Sequence, residues 1–205
     1  MIPERTLARL TLYRRIVADL LQDKLESVHS HQLALRAGAT AAQVRRDLMV
    51  IGAEGSPKRG YKCAKLAASL GRFLDVPGGQ KVALIGVGNL GRALLSYFMN
   101  RHPGLQIVAA FDSDNEKAGS VILGCRCYHL DEIEQVIKNE GIKVAVIAVP
   151  AGSAQFVADR VALAGVKGIL NFAPVALHLP PSVFGENIDV TMSLEKVAFF
   201  AAKRT

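Results

Sequence analysis

The chain has no tryptophan, and its aromatic residues make up only 6% of 205. It contains three cysteines, an odd number too small for a disulfide framework, which fits a reducing compartment. No apolar run approaches the twenty or so residues of a membrane-spanning helix. The opening Met1-Ile-Pro-Glu-Arg-Thr6 lacks the apolar centre of a signal peptide, so a cytoplasmic location is expected. None of the five histidines (His29, His31, His102, His129, His178) stands at metal-ligand spacing from an acid or a cysteine. Acidic residues are in deficit too, at 18 against 25 Lys and Arg, a formal charge of +7. That excess is uneven. Met1 to Lys62 holds 11 basic and 6 acidic residues, and the remainder 14 and 12. A polyanion partner is therefore expected at the front of the chain.

What the chain does have is Lys81-Val-Ala-Leu-Ile-Gly-Val-Gly-Asn-Leu-Gly-Arg92. The apolar run Val82 to Ile85 has the length of a buried strand, and Gly86, Gly88 and Gly91 form G-x-G-x-x-G ahead of a helix-forming run, Arg92 to Met99. In a dinucleotide site the first glycine permits a tight turn, the second lets backbone approach a pyrophosphate, and the third lets helix pack on strand. The helix N-terminus then offers N–H groups to phosphate. A chance glycine turn would look alike in isolation. A second apolar run, Ile107 to Asp112, supplies an acid about twenty residues on, where a ribose hydroxyl is held in such sites.

Before this motif the pattern is helical. Leu7, Leu10, Ile16, Val17, Leu20 and Leu21 recur at helical spacing between about Thr6 and Leu25. A short helix follows from about His31 to Ala37, with Ser30 as its cap and Gly38 as its stop. Thr40-Ala-Ala-Gln43 is a capping box opening a third helix to about Ile51, with Val44 and Leu48 inward and Gln43, Arg45 and Arg46 outward. Two short helices on a tight turn read as a helix-turn-helix aimed at a major groove, although a solvated basic face has the same pattern. Gly52 to Tyr61, with Lys58 and Arg59 at its tip, suits a hairpin wing that meets phosphate or a minor groove. A further helix, Ala64 to Leu74, leads to the linker Asp75-Val-Pro-Gly-Gly79.

Beyond the linker strands and helices alternate. Cys125 to Tyr128 reads as a strand, with one of Cys125 and Cys127 inward and both thiols inert. A helix begins at Asp131, Val144 to Val149 is a strand, Ser153 caps a helix to Ala164, and Gly168 to Phe172 is another strand. This predicts a doubly wound parallel sheet of Rossmann type, whose ligands lie outside the strand C-termini. Gly86 to Gly91 (with Asn89 and Leu90), Asp112, Val149, Pro150, Ala151 and Asn171, Phe172, Ala173, Pro174 all fall at that edge. Ile188 to Met192 reads as a strand and Ser193 to Lys203 as a helix too apolar for water, which either folds back or enters a second subunit. The expected domains are 1–78, 79–188 and a terminal segment, 189–205.

Leu10-Thr-Leu-Tyr-Arg-Arg15, Gln43-Val-Arg-Arg-Asp47, Gly86-Val-Gly-Asn-Leu-Gly-Arg-Ala-Leu94, Phe111-Asp-Ser-Asp114, Gly168-Ile-Leu-Asn-Phe-Ala-Pro-Val175 and Glu186-Asn-Ile-Asp189 together carry a resemblance. Over essentially its full length the chain resembles the redox-sensing transcriptional repressor family known as Rex. The resemblance implies a homodimer on double-stranded operator DNA, a winged-helix domain, a Rossmann domain for NADH and NAD⁺, and a C-terminal helix exchanged between subunits. It also implies that NADH releases the operator and that Arg15, Tyr97 and Asp189 link the domains. The wing departs from the family's usual Gly-x-Arg-Gly-x-Gly-Tyr: here it is Gly55-Ser-Pro-Lys-Arg-Gly-Tyr61, with Val50-Ile51 for the usual Tyr-Phe. The operator sequence is therefore not carried over. A small NAD-dependent oxidoreductase or a coenzyme A-binding protein would share the sheet. Against the first stand the short stretch after the last strand and the lack of a Tyr-x-x-x-Lys pair; against the second stands Asp112.

Overall fold

The computed structural model describes residues 2–98 and 104–203. Met99 and His102, named above, lie outside the described residues. Contacts divide the chain into Met1–Pro77 and Gly78–Thr205.

The first unit opens with α1 (Glu4–Gln22), which buries Leu10, Tyr13, Ile16, Val17 and Leu20. Leu7 and Leu21 share the helical spacing but stay over a third exposed, whereas Tyr13 is fully buried. Next come β1 (Ser27–Val28), α2 (Ser30–Ala37), α3 (Ala41–Val50), β2 (Tyr61–Lys62) and α4 (Cys63–Leu74). The cap of α2 is His29 rather than Ser30: the Gln32 side chain turns back to accept from the His29 backbone N–H at 2.8 Å, which draws the helix start one residue earlier. Thr40 caps α3, its hydroxyl accepting from the Gln43 N–H at 3.1 Å. Leu33, Val44, Leu48, Leu66 and Leu70 close one core over α1. β1 and β2 pair antiparallel. The wing before β2 ends in a tight turn where Ser56 and Gly60 exchange backbone hydrogen bonds of 3.0 and 2.8 Å. Gly60 sits at φ +64°, and a Cβ there would press on the Val28 carbonyl.

The second unit is a seven-stranded sheet. Its strands are β3 (Gln80–Ile85), β4 (Leu105–Asp112), β5 (Val121–Ile122), β6 (Cys125–His129), β7 (Val144–Ile147), β8 (Gly168–Asn171) and β9 (Phe184–Asn187), in the order β5-β6-β4-β3-β7-β8-β9. All neighbours are parallel except β5 against β6. The helices are α5 (Asn89–Phe98), α6 (Ile133–Glu140), α7 (Ala151–Leu163) and α8 (Val190–Ala202). Alternation along β3 assigns the two faces: Ala83 and Ile85 pack with residues of α6 and α7, while Val82 and Leu84 join Leu95 of α5. The chain runs outward from β3 through β4 to β6, then returns to β7 on the other side of β3. Order reverses between β3 and β7, the place where such sheets open a crevice.

Several expectations are corrected. Cys125 and Cys127 are both buried, because residues two apart on a strand share a face. Burial pushes both thiols up, Cys125 to about 11, which keeps them protonated. α7 starts at Ala151 behind Pro150, so Ser153 lies inside its first turn. Residues Leu130–Glu132 form a 3-10 turn, and α6 begins after them rather than at Asp131. The last strand is Phe184–Asn187, not Ile188 to Met192; Asp189 caps α8 instead, its carboxylate accepting from Met192 N–H at 2.8 Å. No residue of α8 is buried.

Candidate functional site

The crevice is built by three glycines with different jobs. Gly86 leaves β3 at φ +94°, its N–H bonded to the Phe111 carbonyl at 2.8 Å. A Cβ there would sit 2.5 Å from the Ala148 carbonyl oxygen, so the turn can lie against the end of β7 only without one. Gly91 lets the first turn of α5 rest on the Gly86 carbonyl, which a Cβ would overlap. At Gly88 a Cβ would meet no atom of the chain within 4 Å. That open side lies in a cleft of about 560 Å³ lined by Gly86, Gly88, Asp112, Val149 and Pro150. A pyrophosphate laid on Gly88 would reach backbone without displacing any side chain, so the residues present fit a dinucleotide.

Asp112, at the end of β4, is 9% exposed. One carboxylate oxygen accepts from Val87 N–H (2.8 Å) and Lys117 Nζ (3.2 Å); the other accepts from Asp114 N–H (3.0 Å). Burial alone would raise this carboxyl's pKa, but the hydrogen bonds from Val87, Asp114 and Lys117 outweigh it and hold the group below its ordinary value. The acid is thus ionised and tied to the glycine turn through Val87. Ser113, Asp114, Lys117, Ser153 and Phe156 also line the cleft, beyond the residues expected there from sequence. Lys117 carried a signal in retrospect, a lone cation five residues after the acid.

Asn89, Leu90 and Gly91 form the first turn of α5, and Ala151 that of α7; these residues do not line the cleft wall, nor do Asn171, Phe172, Ala173 and Pro174. Asn171 is 1% exposed and spends its amide internally, donating to Val175 O (2.8 Å) and Asn187 Oδ1 (2.9 Å) and accepting from Ala173 N–H (3.0 Å). It shapes the Phe172–Val175 turn beyond β8. Of the three residues expected to link the domains, Arg15 is exposed on α1, Tyr97 is half exposed on α5, and Asp189 caps α8.

In the first unit, Arg45 and Arg46 are exposed on α3 and Gln43 is half-buried. Arg45 donates to Ser30 Oγ at 3.2 Å, which ties the second helix of the motif to the first. Lys58 and Arg59 stand exposed on the Ser56–Gly60 turn. A cleft of about 530 Å³ between α3 and this turn is lined by His29, Ser30, His31, Arg45 and Gly55 to Pro57. Among the described residues no cluster of His, Cys, Asp or Glu could hold a metal, and no helix is long and apolar enough to cross a membrane.

Two family models match the chain: "Putative DNA-binding protein N-terminus" over residues 1–48 and "CoA binding domain" over 79–175. Among curated proteins, the redox-sensing transcriptional repressor Rex of Streptomyces coelicolor is 37% identical, covering 99% of this chain and 79% of its own. That of Roseiflexus sp. is 39% identical over 98% of this chain and 91% of its own. The chain belongs to the Rex family. Solved Rex structures agree with it along its whole length. RSP, a Rex-family repressor, superposes with a TM-score of 0.88 at 28% identity, covering 100% of this chain and 95% of RSP. RSP in complex with β-NAD⁺ and operator DNA gives 0.92 at 29%, with 100% and 94% covered. RSP with β-NADH gives 0.87 at 28%, with 100% and 96% covered. Rex membership accounts for both family models at once, one on each unit.

Proposed function

We propose that this chain is a repressor that holds double-stranded operator DNA through its first unit and lets go when NADH fills the crevice of its second. One observation carries the reading: a single chain joins a helix-turn-helix bearing Arg45 and Arg46 to a glycine turn that shares one cleft with an ionised Asp112. RSP, its structural relative, has been seen with β-NAD⁺ and operator DNA together and with β-NADH. Gln43, Arg45 and Arg46 read the major groove, while Lys58 and Arg59 meet the backbone or a minor groove.

NADH and NAD⁺ differ by the charge and pucker of the nicotinamide ring. We place the sensing of that difference near Pro150, in the cleft wall, and at the neighbouring Asn171 to Pro174 turn, which the Phe172 N–H ties to the Ile147 carbonyl at the end of β7 (2.8 Å), with Val149 and Ala151 framing the start of α7. A ligand moves an equilibrium only through its differential affinity for two states. NADH therefore binds the DNA-free arrangement better, and DNA weakens NADH binding by the same factor. Arg15, Tyr97 and Asp189 carry the message. α8, which exposes Val190, Leu194, Val197, Phe199 and Phe200 by more than half, is exchanged with a second copy in a homodimer. Three buried, unpaired thiols accord with a cytoplasmic protein.

A gel shift on a palindromic duplex tests this. NADH should release the band at concentrations where NAD⁺ leaves it. A band insensitive to both would end the sensing role. Removing 190–205 should give a monomer in light scattering, and a truncated chain that stays dimeric and still answers NADH would refute the helix exchange.

A further inference from the structure

The capping box expected at Thr40 is only half made, and the missing half leads elsewhere. Thr40 caps the Gln43 N–H, but the Gln43 side chain does not return to Thr40. Its Nε2 donates to Asp47 Oδ1 at 2.9 Å, one turn further along α3. Asp47 is 2% exposed. Arg9 grips both its oxygens at 2.6 and 2.8 Å, and the Tyr13 hydroxyl donates at 2.9 Å; both residues come from α1. An ionised carboxylate only accepts, so Gln43 must present its NH₂ side to Asp47, and its amide cannot flip without placing oxygen against oxygen.

We infer that Asp47, itself held by Arg9 and Tyr13, is a positioning residue that fixes the polarity of Gln43 and thereby makes it a reader of adenine. With one N–H given to Asp47, Gln43 retains one N–H and a carbonyl oxygen that has no partner among the described residues. One donor beside one acceptor is the complement of adenine's N7 and N6 in the major groove. Gln43 is the third residue of α3, and the N-terminal residues of a recognition helix are those that meet base edges. A freely rotating amide could offer its donors and acceptor in either order; the buried acid removes that choice and the entropy cost of making it. The inference rests on the DNA-binding reading above.

The test takes the full-length chain and a duplex that it enriches from a random pool, together with all single base-pair replacements of that duplex. In Gln43→Ala, preference for one A·T pair per half-site should fall about ten- to hundredfold, with other positions unchanged. Asp47→Asn, whose amide can turn either an oxygen or an N–H to Gln43, should lose most of that same preference. Tyr13→Phe leaves Asp47 to Arg9 and Gln43 and should keep it. If Asp47→Asn fails to melt cooperatively, Gln43→Glu serves instead: it cannot approach the ionised Asp47, and adenine preference should vanish. An adenine preference unchanged in Gln43→Ala, in a folded Asp47→Asn or in Gln43→Glu overturns the inference alone. Failure of the wild-type chain to enrich any duplex overturns the DNA-binding reading with it.

Discussion

Gly88 and Gly91 differ by three positions in one motif, yet replacing each by alanine should fail in opposite ways. At Gly88 a methyl group meets nothing of the protein within 4 Å, and the residue is not in the left-handed region. Gly88→Ala should leave the melting temperature near wild type, its stability changing by about 1 kcal/mol or less, with a small gain from a stiffer unfolded chain. The same methyl would stand in the cleft where the proposed site puts a pyrophosphate. Forcing an extra methyl into a packed contact costs about 1–3 kcal/mol, which weakens NADH binding roughly five- to 150-fold. Gly91→Ala should show the reverse order of damage. Its Cβ overlaps the Gly86 carbonyl, which is backbone and cannot step aside, so stability itself should fall by about 1–3 kcal/mol or more. Thermal melting and calorimetry with NADH on both variants separate the two effects. A folded Gly88→Ala chain that binds NADH as wild type does would mean that no phosphate lies over this glycine.

Arg45→Ala and Arg46→Ala should each weaken operator binding by about 1–3 kcal/mol if the arginine reads a guanine, and unchanged gel shifts in both would take α3 out of the groove. Asp112 can accept from a 2′-hydroxyl but repels a 2′-phosphate, so NADPH should bind more weakly than NADH in calorimetry despite Lys117 beside it; equal affinity would refute the assignment. Burial alone would raise the pKa of Asp47, but the hydrogen bonds of Arg9, Gln43 and Tyr13 outweigh it and hold the group below its ordinary value. The stability they confer is present above the unfolded value of about 4 and is lost as pH falls below it. In circular dichroism, Asp47→Asn should therefore be less stable than wild type at pH 7 but decline less steeply in acid.

The glycine turn, the acid after β4 and the helix-turn-helix could be read from sequence because each depends on local spacing. Caps were harder. Ser30 and Ser153 have the right chemistry for a helix start, but Gln32 reaching back to His29, and Pro150 fixing the backbone, set the real starts earlier. Phe184-Gly-Glu-Asn187 shows neither alternation nor β-branching, since this exposed edge strand is held to β8 by backbone pairing and the Asn171–Asn187 side-chain bond rather than by apolar burial. Ile188-Asp-Val-Thr has the β-branched content of a strand, yet Asp189 is spent as a cap. Asp47 stands one turn beyond the outward-facing Gln43, and its local sequence carries no sign that it is buried. Its burial depends on Arg9, 38 residues earlier, a pairing that no local window contains.

α8 is a thirteen-residue helix with no buried side chain. Helices of that length are marginal in water by themselves, so α8 draws most of its order from whatever covers it. Coverage by a second copy would make that order a matter of mass action. The stability of the chain would then have no single value but would rise with its own concentration, and a dilution series of melting curves would report on association as much as on folding. A cell holding few copies would keep part of this repressor with a frayed tail and exposed phenylalanines, open to proteases. Abundance, and not NADH alone, would then help determine how much of it is fit to bind.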